Sequence, residues 1–309
     1  MPFISICIPA YKNAAYLKRL MDSISVQTFR DFEVIVSDDS NDDEVKILID
    51  QYAGNFPVKY LQNRPALGSP GNWNNAIRLA NGDWIKMMHD DDWFSNENSL
   101  LNFAQAAKEN PAGFIFSGFC EIDPAGNLKD CYTIGKSEKK MLQSSPYNLF
   151  RKNFIGHPST TLIKNQGELL YDENLKWVVD IEFYMRYLGK YRKFFAIEKP
   201  LINIGLNEYQ ITKSSFRNPA VEIPENLYLF HHLPKGFLKN VFAYDYYWRL
   251  MRNLKIRRVD DLKQYSGEAE IPDAIRKMIL FQSKFPHKIL KNGLVNKSLM
   301  MLSYLRLNG

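Results

Sequence analysis

Three acid-rich turns hold the residues of this 309-residue chain best suited to chemistry. Ser37-Asp38-Asp39-Ser40-Asn41-Asp42 follows an apolar run at 32–36 and sets two adjacent carboxylates where a strand gives way to a turn. A solvated helix cap is one use of such a pair. Acceptance of the imide N–H of a uracil or thymine base is another. His89-Asp90-Asp91-Asp92 follows the apolar run 84–88 and is closed by Trp93-Phe94. Three successive carboxylates repel one another unless a cation or a run of donors neutralises them, and a merely solvated turn has no need of flanking Trp and Phe. Hard oxygen ligands suit magnesium or manganese, Mg2+ or Mn2+, which would in turn hold a diphosphate. His89 could be a ligand or a strand-end residue. In Trp177-Val178-Val179-Asp180-Ile181-Glu182-Phe183, Asp180 opens an amphipathic stretch. It could cap that helix or, desolvated among Trp177 and Phe183, serve as a general base with a raised pKa.

Elements must position these turns. Residues 3–8 are a strand candidate ended by Pro9, and from Asn13 onward Tyr16, Leu17, Leu20, Met21 and Ile24 recur at helical spacing. Further strands are expected at 32–36, 58–61, 84–88 and 114–119. Helices are expected at 42–52, with Asp42, Asp43 and Glu44 in the first turn, and at 71–80, closed by Asn81-Gly82. This alternation predicts an α/β fold with a mostly parallel sheet flanked by helices. In such a sheet ligands lie beyond the carboxyl ends of the strands, which is where the acids after the second and fourth strands stand. Short strand signals at 160–163 and 194–197 accompany a helix at 180–188. Beyond Pro219 aromatic and basic helical stretches follow at 237–254 and 272–285. The expected division is 1–218, the α/β domain that carries the acid-rich turns, and 219–309, a smaller, basic helical region.

Apolar residues make up 45% of the chain and charged residues 24%, a globular composition. The formal charge of +6 is uneven: residues 1–219 hold 25 basic and 26 acidic side chains, and residues 220–309 hold 15 and 8. Beyond Asp273 there is no acid, while Arg276, Lys277, Lys284, Lys288, Lys291, Lys297 and Arg306 are interleaved with aliphatic and aromatic residues. Without a helix-turn-helix, zinc or ribonucleoprotein motif this excess does not indicate a nucleic acid partner. Residues 276–309 suit a helix lying at an anionic membrane surface, or one packed on the catalytic domain or on a second subunit of a homodimer with its lysines solvated. No basic n-region precedes the first apolar stretch and no apolar run approaches a membrane span. Cys7, Cys120 and Cys131 are odd in number and lack a Cys-x-x-Cys pair, which argues against a disulfide framework or a thiolate zinc site. A cytoplasmic, reduced setting is expected, with peripheral contact at the inner face of the cytoplasmic membrane.

Ile6-Cys7-Ile8-Pro9-Ala10-Tyr11-Lys12-Asn13, Gln27-Thr28-Phe29, residues 32–39, Ala80-Asn81-Gly82-Asp83-Trp84-Ile85 and Asp91-Asp92-Trp93 resemble, in that order, the motifs of family 2 glycosyltransferases. The likeness covers about residues 3–215. It implies a Rossmann-like GT-A fold and an inverting enzyme of the kind that builds bacterial surface polysaccharides such as capsule or lipopolysaccharide. The resemblance implies that Pro9, Ala10, Tyr11 and Asn13 line the nucleotide, that Asp39, beside Asp38, pairs with uracil, and that Asp180 is the catalytic base. His89-Asp90-Asp91 stands where the family has Asp-x-Asp. Because His89 replaces the first acid, metal ligation shifts toward Asp91, with Asp92 and Asp90 beside it, Asp90 facing the nucleotide. Gly68, Asn72 and Asn74, in a glycine- and asparagine-rich turn into a helix, would contact nucleotide or sugar, or serve only as that turn. His157, Trp177 and Lys213 are the candidates for acceptor or phosphate contact.

The implied reaction moves a sugar from a nucleoside-diphosphate donor, a UDP-sugar, to a hydroxyl of a glycan or lipid-linked acceptor, with a hexosyl or N-acetylhexosaminyl group transferred. Two other readings compete. One is a nucleotidyltransferase, although residues 9–16 lack its glycine-rich phosphate loop. The other is a non-catalytic nucleotide-sugar-binding module, which the His89 replacement would suit.

Overall fold

The computed structural model describes residues 1–167, 170–207, 215–267 and 269–308. Strand β1 (Ile4–Ala10) is buried at every position, as expected of a strand covered on both faces. It pairs in parallel with β2 (Phe32–Asp38) and β4 (Trp84–Met87), and β2 pairs in parallel with β3 (Val58–Gln62). The crossovers are α1 (Ala14–Ser25), α2 (Glu44–Asp50) and α3 (Gly71–Arg78). Helix α1 buries Leu17, Leu20, Met21 and Ile24, and these side chains join Ile4, Ile6, Ile8, Val34 and Val36 in one apolar core. At the turn into β4, the Gly82 N–H donates to Ser5 Oγ at 2.8 Å. A Cβ there would meet the Ser5 backbone nitrogen at 2.6 Å, so the Asn81-Gly82 turn admits only glycine.

The chain continues through β5 (Trp93–Phe94), α4 (Ser99–Glu109), β6 (Phe114–Ile122), β7 (Leu128–Tyr132), α5 (Lys136–Ser144), β8 (Thr161–Lys164), α6 (Val179–Tyr191) and β9 (Phe195–Gly205). The sheet order is β3-β2-β1-β4-β8-β6-β9-β5, with β7 added to β6. The expected parallel pairing holds from β3 to β4. Beyond that the sheet is mixed: β8 runs antiparallel to β4 and β6, and β5 antiparallel to β9, while β6 and β9 are parallel. Strand β9 is much longer than the 194–197 signal because it passes through Glu198-Lys199-Pro200. Register shifts around Gly118 absorb that irregularity, as bulges do where proline interrupts a ladder.

The cysteine expectation needs correction. Cys120 on β6 and Cys131 on β7 lie opposite one another in the antiparallel pair and are joined as a disulfide. Only Cys7, buried in β1, is free. A hairpin brings together two cysteines whose spacing carries no signature, and the inference of a reduced setting loses the support it drew from them.

The chain forms two compact units, Met1–Ser144 with Phe154–Glu173 and Val179–Tyr209, and Ser145–Asn153 with Asn174–Val178 and Gln210–Gly309. In place of one cut at 218, the second unit therefore takes in two short earlier segments. Its helices are α7 (Pro219–His232), α8 (Val241–Asn253), α9 (Val259–Ser266), α10 (Asp273–Gln282), α11 (His287–Leu290) and α12 (Gly293–Asn308). Tyr244, Tyr247 and Trp248 of α8 are fully buried. Their polar ends are satisfied: Trp248 Nε1 donates to Asn296 Oδ1 at 2.9 Å and Tyr247 Oη to the Asn226 carbonyl at 3.1 Å. The aromatic richness of this region is thus core packing. Among the described residues no helix is long and apolar enough to cross a membrane.

Candidate active site

The carboxylates of all three acid-rich turns lie in the first unit. After β4 the chain leaves the sheet through Met88-His89-Asp90-Asp91-Asp92, held from several sides. The His89 N–H donates to Ser159 Oγ at 3.0 Å, and the Tyr11 N–H to Asp90 Oδ2 at 3.3 Å. Arg19 Nη2 donates to the Asp91 carbonyl at 2.9 Å while its guanidinium stacks 3.6 Å from the centre of the Trp93 ring. Asn207 Nδ2 donates to Asp91 Oδ2 at 2.7 Å, and the Gly205 N–H to Asp92 Oδ1 at 3.3 Å. Gly205 is obligatory here, because a Cβ would run into the Asp91 carbonyl.

Ligand atoms of His89, Asp91 and Asp92 all lie within 4.8 Å of one another. Among the described residues His89 Nε2 is buried without a hydrogen-bond partner, its ring against Trp73 at 4.6 Å between centroids. An orphaned imidazole nitrogen beside two carboxylates fits a divalent cation, and the mixed nitrogen and oxygen set accepts Mn2+ as well as Mg2+. Burial holds the His89 imidazole neutral, its pKa pushed down to about 3, with His157 and Lys86 adding to the effect. Burial and the neighbouring acids push Asp90 up to about 8 and Asp91 and Asp92 up to about 7.

A carboxyl whose folded pKa exceeds its unfolded value of 3.8 binds more protons folded than unfolded across that window. Stability is therefore present at low pH and lost as pH rises toward 7 to 8. In EDTA the melting temperature is expected to fall across this range. Mn2+ held by the ionised acids should raise it more at the top of the range than at about pH 5. A melting temperature independent of both pH and Mn2+ would contradict this picture.

Two residues that the sequence reading passed over brace the loop. Lys86 is fully buried in β4; its Nζ donates to the Ser159 carbonyl and lies 4.8 Å from the Phe103 ring centre. Burial drives its pKa far down, opposed by Asp92. Ser159, besides accepting from His89, is hydrogen-bonded to the Asp92 carboxylate. The clue in the sequence is a lysine inside the otherwise apolar Trp84-Ile85-Lys86-Met87-Met88.

Pro9 and Ala10 are buried at the end of β1. The Ala10 carbonyl accepts from the Asp39 N–H at 3.0 Å and from Asn72 Nδ2 at 3.2 Å. Tyr11 is 53% exposed, and Asn13, also exposed, precedes α1 without a side-chain cap bond among the described residues. Asp38 accepts from the Ser40 N–H and from Tyr60 Oη, both at 2.8 Å. Asp39 accepts from Asn63 Nδ2 at 2.8 Å, the Leu67 N–H at 3.0 Å and the Gly68 N–H at 2.7 Å. Neither caps α2, which starts at Glu44; both shape turns beside Ala10. Asn63, not anticipated, also reaches Ser37 Oγ and Asn72 Oδ1 at 3.0 Å. Asn74 is a correction. Fully buried, it donates to the Tyr171 carbonyl and to Glu173 Oε1 and accepts from the Tyr171 N–H, which leaves no donor for a nucleotide.

Helix α6 begins at Val179, so Asp180 lies inside its first turn rather than at the cap. Asp180 Oδ1 accepts from the Ile181 N–H at 2.8 Å. Burial raises its pKa, opposed by that bond and by His157. Burial lowers the pKa of His157, opposed by Asp180. The His157 ring meets the Phe119 edge at 5.5 Å, and Tyr184 Oη donates to the Gly156 carbonyl at 3.2 Å. One turn, residues 156–160, thus joins Asp180 to the acid loop. Trp177 belongs to the second unit, where its N–H donates to Glu225 Oε2 at 2.7 Å. Lys213 lies outside the described residues. A cavity of about 280 Å³ between α3, β4, β8 and α6 is walled mainly by Ile77, Ile85, Met87, Ile163 and Phe183 and holds none of the acids described above.

A family model described as glycosyl transferase family 2 matches residues 5–164, from β1 through β8 with the whole acid loop. The chain belongs to that family. Over 223 residues it is 27% identical to the GalNAc(5)-diNAcBac-PP-undecaprenol beta-1,3-glucosyltransferase of Campylobacter jejuni, covering 68% of this chain and 71% of that one. Residues 1–349 of TarS from S. aureus, solved with UDP-GlcNAc, superpose with a TM-score of 0.57 at 18% identity, over 97% of this chain and 79% of that one. A mannosyltransferase from Pyrobaculum calidifontis, solved with GDP-Man and Mn2+, gives 0.58 at 15% identity, over 98% and 85%. This family 2 glycosyltransferase therefore has the GT-A fold that its motifs imply.

Proposed function

We propose that this glycosyltransferase moves a hexosyl or N-acetylhexosaminyl group, with inversion, from a UDP-sugar to a hydroxyl of a glycan or lipid-linked acceptor, with Mn2+ or Mg2+ as cofactor. The observation that carries this reading is the cluster of His89, Asp91 and Asp92 beyond β4, linked through residues 156–160 to Asp180. A cation held by the cluster supplies positive charge where the departing diphosphate gains negative charge.

Asp180 takes the proton of the acceptor hydroxyl, which its raised pKa suits it to do. The acceptor oxygen bonds to the anomeric carbon from the face opposite the diphosphate, and the bond to that leaving group breaks with its electron pair on the phosphate oxygen. His157 beside Asp180 partly offsets the burial that disfavours the carboxylate. Tyr11, Ala10 and the Asp39-braced turn at Gly68 frame the nucleotide, with Asp90 held against the Tyr11 N–H.

UDP as the donor nucleotide rests on Asp39 and on the UDP-GlcNAc complex of TarS, and a lipid-linked acceptor on the undecaprenol-linked substrate in the name of the C. jejuni relative. A panel of nucleotide sugars, each with Mn2+ and lipid-linked or free glycan acceptors, tests the assignment. Release of UDP from a UDP-sugar is expected. Release of pyrophosphate would indicate nucleotidyl transfer instead, and binding without turnover a non-catalytic module.

A further inference from the structure

Helix α12 carries apolar side chains on its outer face as well as on its inner one. The side chains it buries include Asn296 and Ser303 along with Met300, and the polar pair are used within the second unit: Trp248 Nε1 donates to Asn296 Oδ1 at 2.9 Å, and Ser303 Oγ lies 2.7 Å from Tyr244 Oη. Five of its aliphatic side chains face outward, with Leu294 82%, Val295 40%, Met301 42%, Leu302 50% and Leu305 58% exposed, while Leu299 and Leu307 are partly buried. At 100° or so per residue these five fall within an arc of about 120°. The one hydroxyl in that arc, Ser298, donates to the Leu294 carbonyl at 3.1 Å and leaves the face apolar. Lys297 flanks the arc on one side and Arg306 on the other. Ile289 of α11, 42% exposed, and Lys288 and Lys291 repeat the pattern immediately before it.

A contiguous arc of exposed aliphatic side chains marks a surface that meets an apolar partner, where single exposed leucines would not. Charge decides between the occupants. No acid follows Asp273, which is itself paired with Lys277 at 2.8 Å. A second copy docked through the same face would set Lys297 and Arg306 against their own equivalents with no carboxylate on the helix to answer them. An anionic lipid surface answers every one of these charges and takes the aliphatic arc among its acyl chains, with the basic stems reaching up to the headgroups. We propose that α12 is the membrane-docking element of this enzyme: Leu294, Val295, Met301, Leu302 and Leu305 enter the interface of an anionic bilayer, and Lys297, Arg306 and the α11 lysines contact its headgroups.

The test is cosedimentation of the full chain with vesicles of phosphatidylglycerol and phosphatidylcholine, against vesicles of phosphatidylcholine alone. The wild type should pellet with the anionic vesicles only, less so as salt rises. The triple variant Leu294→Asp, Leu302→Asp, Leu305→Asp should lose about tenfold or more of its partitioning. Lys297→Gln and Arg306→Gln should each lose about fivefold. All five side chains are exposed, so an unchanged melting temperature serves as the folding control. Equal pelleting with both vesicle types, or binding that the triple variant retains, would overturn the proposal. So would a wild-type dimer in light scattering that the triple variant makes monomeric, with no vesicle binding by either; the face would then be an interface between copies.

Discussion

Asp180→Asn is expected to lower kcat by about two to four orders of magnitude, the range for loss of a positioned general base. The affinity for the nucleotide sugar should barely change. The substitution is nearly isosteric, and an asparagine Oδ1 can still accept from the Ile181 N–H at the start of α6, so the fold has no reason to change. What disappears is the only oxygen pair at this position able to take up a proton. The wild-type rate should rise with pH as Asp180, its pKa raised by burial, ionises, and that rising limb should be absent in the variant. Turnover close to wild type with donor and acceptor both present would remove Asp180 from the mechanism.

Asp91→Asn is expected to weaken Mn2+ binding and to lower kcat by at least about a hundredfold, since a cation contributes several kcal/mol of charge stabilisation to a departing diphosphate. The backbone carbonyl of residue 91 keeps its bond from Arg19, and the asparagine oxygen can still accept from Asn207, so the loop should hold its course. Calorimetric titration of Mn2+ into both proteins separates loss of metal from loss of fold. If the variant bound Mn2+ as the wild type does, the ligand set would have to be reassigned.

The sequence disclosed the elements whose local pattern matches their burial. The spacing of Leu17, Leu20, Met21 and Ile24 is that of the buried face of α1, and the apolar run in β1 reflects a strand covered on both sides. The acid loop was legible because three carboxylates and a histidine between a strand and two aromatic residues have few structural uses. What stayed hidden depends on partners distant in sequence. Cys120 meets Cys131 only because β6 and β7 pair in one register. Asn74 looked like a ligand contact because a buried carboxamide holding the Tyr171 backbone leaves no local trace. Asn63 was invisible for the same reason, taking its role from Asp39 and Asn72 on other elements, and Lys86 showed only as a charge inside an apolar strand, its partner Ser159 lying far along the chain. Segments 145–153 and 174–178 join the second unit through contacts such as Phe150 against Tyr246 at 4.8 Å and the Trp177 N–H to Glu225, neither of which follows from periodicity.

The central claim, that the acid loop holds a cation that in turn holds a nucleoside diphosphate, is tested most directly by the melting temperature of the wild-type protein with UDP, in Mn2+ and in EDTA. A ligand that binds only the folded protein stabilises it by about 2.7 kcal/mol at a hundred times its Kd. The account predicts that UDP raises the melting temperature in Mn2+ and has little effect in EDTA. An equal rise in both, or none in either at millimolar UDP, would contradict it.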